Sequence, residues 1–102
     1  MNPLIQQKMP EVHEICARRR VRRLGLFGSA TGAGFDPATS DLDFMVEFDN
    51  VPPAQYADAY FALKEGLEAL FGRPVDLVTE NNLSNPYFRD RVTAERRIVY
   101  AR

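Results

Sequence analysis

Two acids one residue apart, Asp41 and Asp43, open the apolar run LDFMVEF. In an extended strand, residues two apart point the same way, so both carboxylates leave one face with Cβ atoms about 6–7 Å apart. Two like charges on one face repel unless a cation sits between them, and paired hard oxygen donors are what Mg²⁺ accepts. Asp76 stands alone between Val75 and Leu77 in another short apolar run, and is the natural third ligand. Upstream, the apolar stretch VRRLGLF ends in Gly28-Ser29. Glycine at a strand end lets backbone N–H groups approach an anion, and Ser29 adds a hydroxyl donor. A phosphate cradle beside a two-metal carboxylate site is the equipment of phosphoryl transfer. Taken alone, Asp41 and Asp43 would suit a solvated strand edge or a capped turn; the joint presence of Gly28, Ser29 and Asp76 favours the site.

The elements that must position these residues are legible in the hydrophobic periods. Residues 21–27 and 42–48 read as strands, the second with Leu42, Phe44, Val46 and Phe48 alternating against Asp43, Met45 and Glu47. Residues 28–39 hold three glycines, a proline and three Ser/Thr residues, and read as a loop. A first helix is expected over about residues 10–20, with Pro10 in its first turn and Leu4, Ile5 and Met9 extending its apolar stripe across a kink. Tyr56, Tyr60, Leu63, Leu67, Leu70 and Phe71 recur at helical spacing over residues 54–71, and Gly72 sits where a left-handed stop belongs. A short strand at 74–78 carries Asp76. Ser84 or Asn85 caps a last helix that starts at Pro86 and reaches about Glu95, and residues 98–100 return as a small edge strand or tail. This order implies an α/β (α+β) fold, a small mixed β-sheet flanked by helices with the helices on one side, in a single domain over residues 1–102.

The chain has 102 residues and a net charge of −1, unevenly spread. Residues 1–23 carry +4, residues 24–88 carry −8 and residues 89–102 carry +3. The acidic middle argues against RNA or DNA binding over the whole surface, because a phosphate backbone demands positive charge. An acidic centre between basic ends suits a site that collects cations and then an anion. The arginines at 18, 19, 20, 22 and 23 read first as a helix end favoured by the dipole, and second as a nucleic-acid or partner patch. His13 has no ligand-spaced companion and reads as a boundary residue, Cys16 as a buried thiol, and Glu47 as a solvent-facing acid beyond the aspartate pair. No membrane span or secretory leader is expected, and the single cysteine fits a cytoplasmic protein.

Gly28-Ser29, eleven residues, Asp41-Leu42-Asp43 and a later lone acid together resemble the DNA polymerase β-like nucleotidyltransferase superfamily. "FGSATGAGFDPATSDLDFMVEF" and "NPYFRDRVTAERRIVYAR" are similar to its minimal nucleotidyltransferases, the MNT proteins. The resemblance implies the polymerase β-like fold without accessory domains, and transfer of AMP from ATP with two Mg²⁺ ions. By the same resemblance, Asp41, Asp43 and Asp76 would be catalytic and metal-binding, with Asp76 also helping to deprotonate the acceptor. Gly28 and Ser29 would hold the nucleoside triphosphate. The implied partner is a HEPN-type ribonuclease toxin, for which the protein would be the antitoxin and a protein adenylyltransferase. The family often carries an arginine where this chain has Gly32, and an acid where it has Gly34. Arg89 and Arg91 are the candidates to replace the missing charge. A catalytically weak antitoxin that acts by stoichiometric binding is the alternative. A small, incompletely covered sheet also leaves room for self-association into a homo-oligomer.

Overall fold

The computed structural model describes residues 3–28, 41–79 and 85–102. The chain runs α1 (Pro3–Gln7), α2 (Met9–Arg18), β1 (Val21–Phe27), β2 (Leu42–Phe48), α3 (Pro53–Phe71), β3 (Val75–Thr79), α4 (Pro86–Glu95) and β4 (Arg97–Ala101). Pro10 lies in the first turn of α2, where its missing N–H costs no hydrogen bond. Gly72 ends α3 in the left-handed conformation, at φ 65°, and its N–H closes on the Glu68 carbonyl. Asn85 caps α4, its Oδ1 accepting from the N–H groups of Tyr87 at 2.9 Å and Phe88 at 3.4 Å.

The four strands form one sheet in the order β3-β2-β1-β4. The pairs β1–β2 and β1–β4 are antiparallel, while β2–β3 is parallel, with α3 as the crossover a parallel pair requires. One face carries Leu24, Leu26, Leu42, Phe44, Val46, Val75, Leu77 and Val99. Ile5, Val12, Cys16, Leu63, Leu67 and Phe71 pack onto it from α1, α2 and α3, so the main core lies on this side. Cys16 is fully buried there, and burial pushes its thiol up to about 12, which leaves it a packing residue without thiolate chemistry.

The helices do not all lie on one side, as the element order suggests. The opposite face carries a smaller cluster of Phe27 and Met45 with Val78 beside them, and Val92 of α4 packs into it. The alternation of β2 places Met45 among the outward residues, yet Met45 is only 2% exposed. Apolar residues contributed by three neighbouring strands need cover, and α4 supplies it through Val92.

The Asn85 cap gives a direct check on α4. Asn85→Ala should lower the unfolding free energy by about 1 kcal/mol, read as a lower urea midpoint at unchanged slope. An unchanged midpoint would show that the cap contributes nothing.

Candidate active site

Strand register brings the acids together. Phe27 pairs with Asp43 across β1–β2, and Asp43 pairs with Asp76 across β2–β3. Asp41 immediately precedes β2, and Gly28 immediately follows β1. Gly28, Asp41, Asp43 and Asp76 therefore meet at one end of the sheet. The three acids alternate with the core residues Leu42, Phe44, Val75 and Leu77, so they belong to the face opposite the main core. Asp41 and Asp76 are exposed, and Asp43 is half-buried between them.

Gly28 is required here for two separate reasons. Its φ of +73° lies in the left-handed region, and a Cβ at this position would stand 2.4 Å from Oδ2 of Asp43. Any larger residue would strain the turn and drive the Asp43 carboxylate out of its place. Ser29, Gly32 and Gly34 lie outside the described residues.

Burial is the main reason the Asp43 carboxyl sits above the usual carboxylate range, with the charges of Asp76 and then Asp41 raising it further. All three acids thus act within one electrostatic field. Among the described residues, no group of three His, Cys, Asp or Glu side chains is close enough to hold a metal ion as it stands. The donor set still fits a hard divalent cation in chemistry: three carboxylates on one face, two of them on directly paired residues.

Tyr60 of α3 was not apparent as a site-related residue, because its helical spacing reads simply as core. Its hydroxyl donates to the Leu77 carbonyl on β3. β3 is an edge strand, and this bond ties α3 to the residue directly after Asp76. Burial pushes the Tyr60 phenol up, and the Asp76 and Tyr56 charges add to the effect.

Other charged residues are engaged elsewhere. Glu47 is not simply solvent-facing: it pairs with Arg23 across β1–β2 at 3.2 Å, as their register allows. Arg18 pairs with Glu14 at 2.6 Å, and Arg20 donates to the Asn50 carbonyl at 3.0 Å. These partners divide the arginine run rather than leaving it one open patch. His13 lies 3.0 Å from the Val99 carbonyl and joins α2 to β4. Arg91 pairs with Glu95 at 3.2 Å on the exposed side of α4, and Arg89 is exposed on the same helix. Arg96 is the cation on the acidic face that sequence reasoning missed. Its stem lies 3.3 Å from where a Cβ on Gly25 would stand. Only the absence of a side chain at Gly25, within a strand, hinted that something large lies against it.

A four-stranded mixed sheet with a glycine turn and three acids at one end defines a nucleotidyltransferase, and comparison with known proteins agrees. The family model described as the nucleotidyltransferase domain matches residues 9–99. The protein adenylyltransferase MntA of Thermococcus cleftensis is 36% identical over 87 residues, covering 85% of this chain and 81% of that protein. A solved structure described as a minimal nucleotidyltransferase superposes with a TM-score of 0.67 at 32% identity, covering 91% of this chain and 90% of the other. The MNT antitoxin structure with a tri-AMPylated HEPN toxin of Shewanella oneidensis gives a TM-score of 0.63 at 17% identity, covering 95% and 72% of the two chains; that likeness is one of fold. The chain belongs to the nucleotidyltransferase domain family and, within it, to the minimal nucleotidyltransferases. Among the described residues, no helix is long and apolar enough to cross a membrane.

The raised Asp43 pKa makes stability pH-dependent. Because folding disfavours the ionised form, Asp43 destabilises the fold as pH rises from its unfolded value of 3.8 through its higher folded value. In divalent-free buffer, Asp43→Asn should therefore raise the thermal midpoint at pH 7. The gain should shrink towards zero as pH falls below 3.8, where Asp43 is protonated in both states. A gain independent of pH would contradict this account.

Proposed function

We propose that residues 1–102 act as one catalytic domain that transfers AMP from ATP to a hydroxyl of a partner protein. The partner in this reading is a HEPN-type toxin, the chain is its antitoxin, and the pair works in the cytoplasm. The observation that carries the chemistry is the Asp43 carboxylate lying against the bare Gly28 turn and paired with Asp76 across adjacent strands. The choice of a protein acceptor is supported by the relative at 36% identity, which is named a protein adenylyltransferase. The choice of a HEPN partner is supported by the shared fold of the MNT antitoxin found with an AMPylated HEPN toxin.

In this mechanism Asp41, Asp43 and Asp76 would hold two Mg²⁺ ions, and Gly28 and Ser29 would hold the triphosphate. When bound, Mg²⁺ would supply Lewis-acid charge neutralisation to the transferring phosphate. The acceptor oxygen attacks the α-phosphorus, the bond from that phosphorus to the bridging oxygen breaks, and pyrophosphate leaves. The acceptor proton passes to the Asp76 carboxylate, which is exposed and therefore reachable. Asp43, half-buried and crowded by two like charges, has the most to gain from a cation, so it should be the least replaceable of the three.

Incubation with ATP labelled at the α-phosphate, Mg²⁺ and the co-encoded HEPN protein should label the HEPN protein. Asp43→Asn should cut that labelling by at least about 100-fold, in the range seen for loss of a main electrostatic contributor, and chelation of divalent ions should abolish it. Equal labelling by Asp43→Asn would refute the assignment. Neutralisation of the toxin without any labelling would replace it with stoichiometric binding.

A further inference from the structure

Arg96 joins α4 to β4 and lies across the acidic face of the sheet. A Cβ on Gly25 would stand 3.3 Å from both Cβ and Cδ of Arg96, so the arginine stem rests directly over the Gly25 backbone. Its Nη1 reaches to 3.8 Å from the Met45 sulfur on β2. The side chain thus spans from the β4 edge, over β1, to β2. Gly25 pairs with Met45, and Phe27 pairs with Asp43. Met45, which the guanidinium touches, is one same-face step along β2 from Asp43, about 7 Å between equivalent backbone positions.

Its present partner is a poor one. A thioether sulfur is a weak acceptor, whereas a guanidinium carries five N–H donors and favours planar, doubly bonded oxyanions. Arg18, Arg23, Arg91 and Arg102 each have a carboxylate partner. Arg96 has none among the described residues, although it is half-buried. A half-buried cation parked on the sulfur of Met45, on the face that carries Asp43, lacks a structural role that accounts for its charge. The Gly25 seat provides its place: a side chain at position 25 would compete with the stem for the same space.

We propose that Arg96 is a substrate-binding residue that contacts the phosphates of the nucleoside triphosphate, contributing the positive charge that the acidic site lacks. This rests on the nucleotidyl-transfer reading for its ligand. A guanidinium–phosphate pair is charge-assisted and often doubly bonded. Asp41, Asp43 and Asp76 meet the ligand's cations, while Arg96 meets its anionic oxygens directly. The location differs from that expected for Arg89 and Arg91, which are exposed on α4.

The test measures ATP and adenosine binding by calorimetry with Mg²⁺, and KM and kcat for ATP in the transfer reaction. Arg96→Met keeps an apolar stem over Gly25 and removes the charge. It should weaken ATP binding and raise KM for ATP about tenfold or more, with kcat changed less than threefold and adenosine binding less than twofold. Arg96→Lys should fall between, retaining charge without the planar fork. Gly25→Ala, which displaces the stem from the other side, should raise KM in the same direction. Arg18→Met, which removes an exposed partner of Glu14 on α2, should leave both constants unchanged. ATP affinity within twofold of wild type in Arg96→Met would overturn the inference, as would a parallel loss of adenosine binding. If no protein is labelled but ATP binding still depends on Arg96, the transfer reading fails and the Arg96 assignment stands. A wild-type chain that does not bind ATP would overturn both.

Discussion

Repulsion among Asp41, Asp43 and Asp76 is the constraint around which this fold is arranged. Two of the three occupy directly paired residues of parallel strands, and the middle one is partly withdrawn from water. Carboxylates left to themselves would separate or protonate; burial raises the Asp43 pKa most, and the charges of Asp76 and Asp41 raise it further. What keeps them together is the opposite face of the same sheet. Leu42 and Phe44 on β2, and Val75 and Leu77 on β3, are clamped under α2 and α3 by the main core. Strand positions two apart share a face, so burying those residues obliges Asp43 and Asp76 to face the other way. The stacked pair Phe44–Phe71, with centroids 6.3 Å apart, fixes the strand that carries Asp43 directly to α3.

Most of this arrangement was readable because it depends on local rules. The alternation in LDFMVEF identifies the face of Asp43, and Gly72 and Asn85 mark helix ends by the conformations and caps they adopt. The polymerase β-like resemblance followed from the same residues, and the family comparison agrees with it. The features that were missed all depend on non-local contacts. Met45 looks like a half-exposed residue within its own strand, and becomes buried only because Phe27, Val78 and Val92 arrive from three other elements. Glu47 looks solvent-facing until the β1–β2 register delivers Arg23 opposite it. Tyr60 acquires its link to Leu77 only from the packing of α3 on an edge strand. Arg96 is indistinguishable from its neighbour Arg97 in sequence, and only the bare backbone of Gly25 separates them.

The sheet order also explains how a chain of 102 residues makes a site at all. β2 and β1 lie in the centre, so Asp43 and Gly28 come from the best-supported strands. Asp76 lies exposed on the β3 edge, and Tyr60 restrains that edge by occupying one of its carbonyls. Arg96 comes from the opposite edge through the α4–β4 junction. Carboxylates on one side and a guanidinium on the other suit a ligand that is itself a cation–polyphosphate pair.

The central claim is that Asp41, Asp43 and Asp76 form a divalent-cation site at this end of the sheet. Titration with Mn²⁺ while recording backbone amide resonances tests it most directly, because a bound paramagnetic ion broadens only nearby signals. Selective broadening of Gly28, Asp43 and Asp76, competed away by Mg²⁺ and absent in Asp43→Asn, is the expected result. Broadening centred instead on Glu14 or Glu95, or no selective broadening at all, would contradict the account.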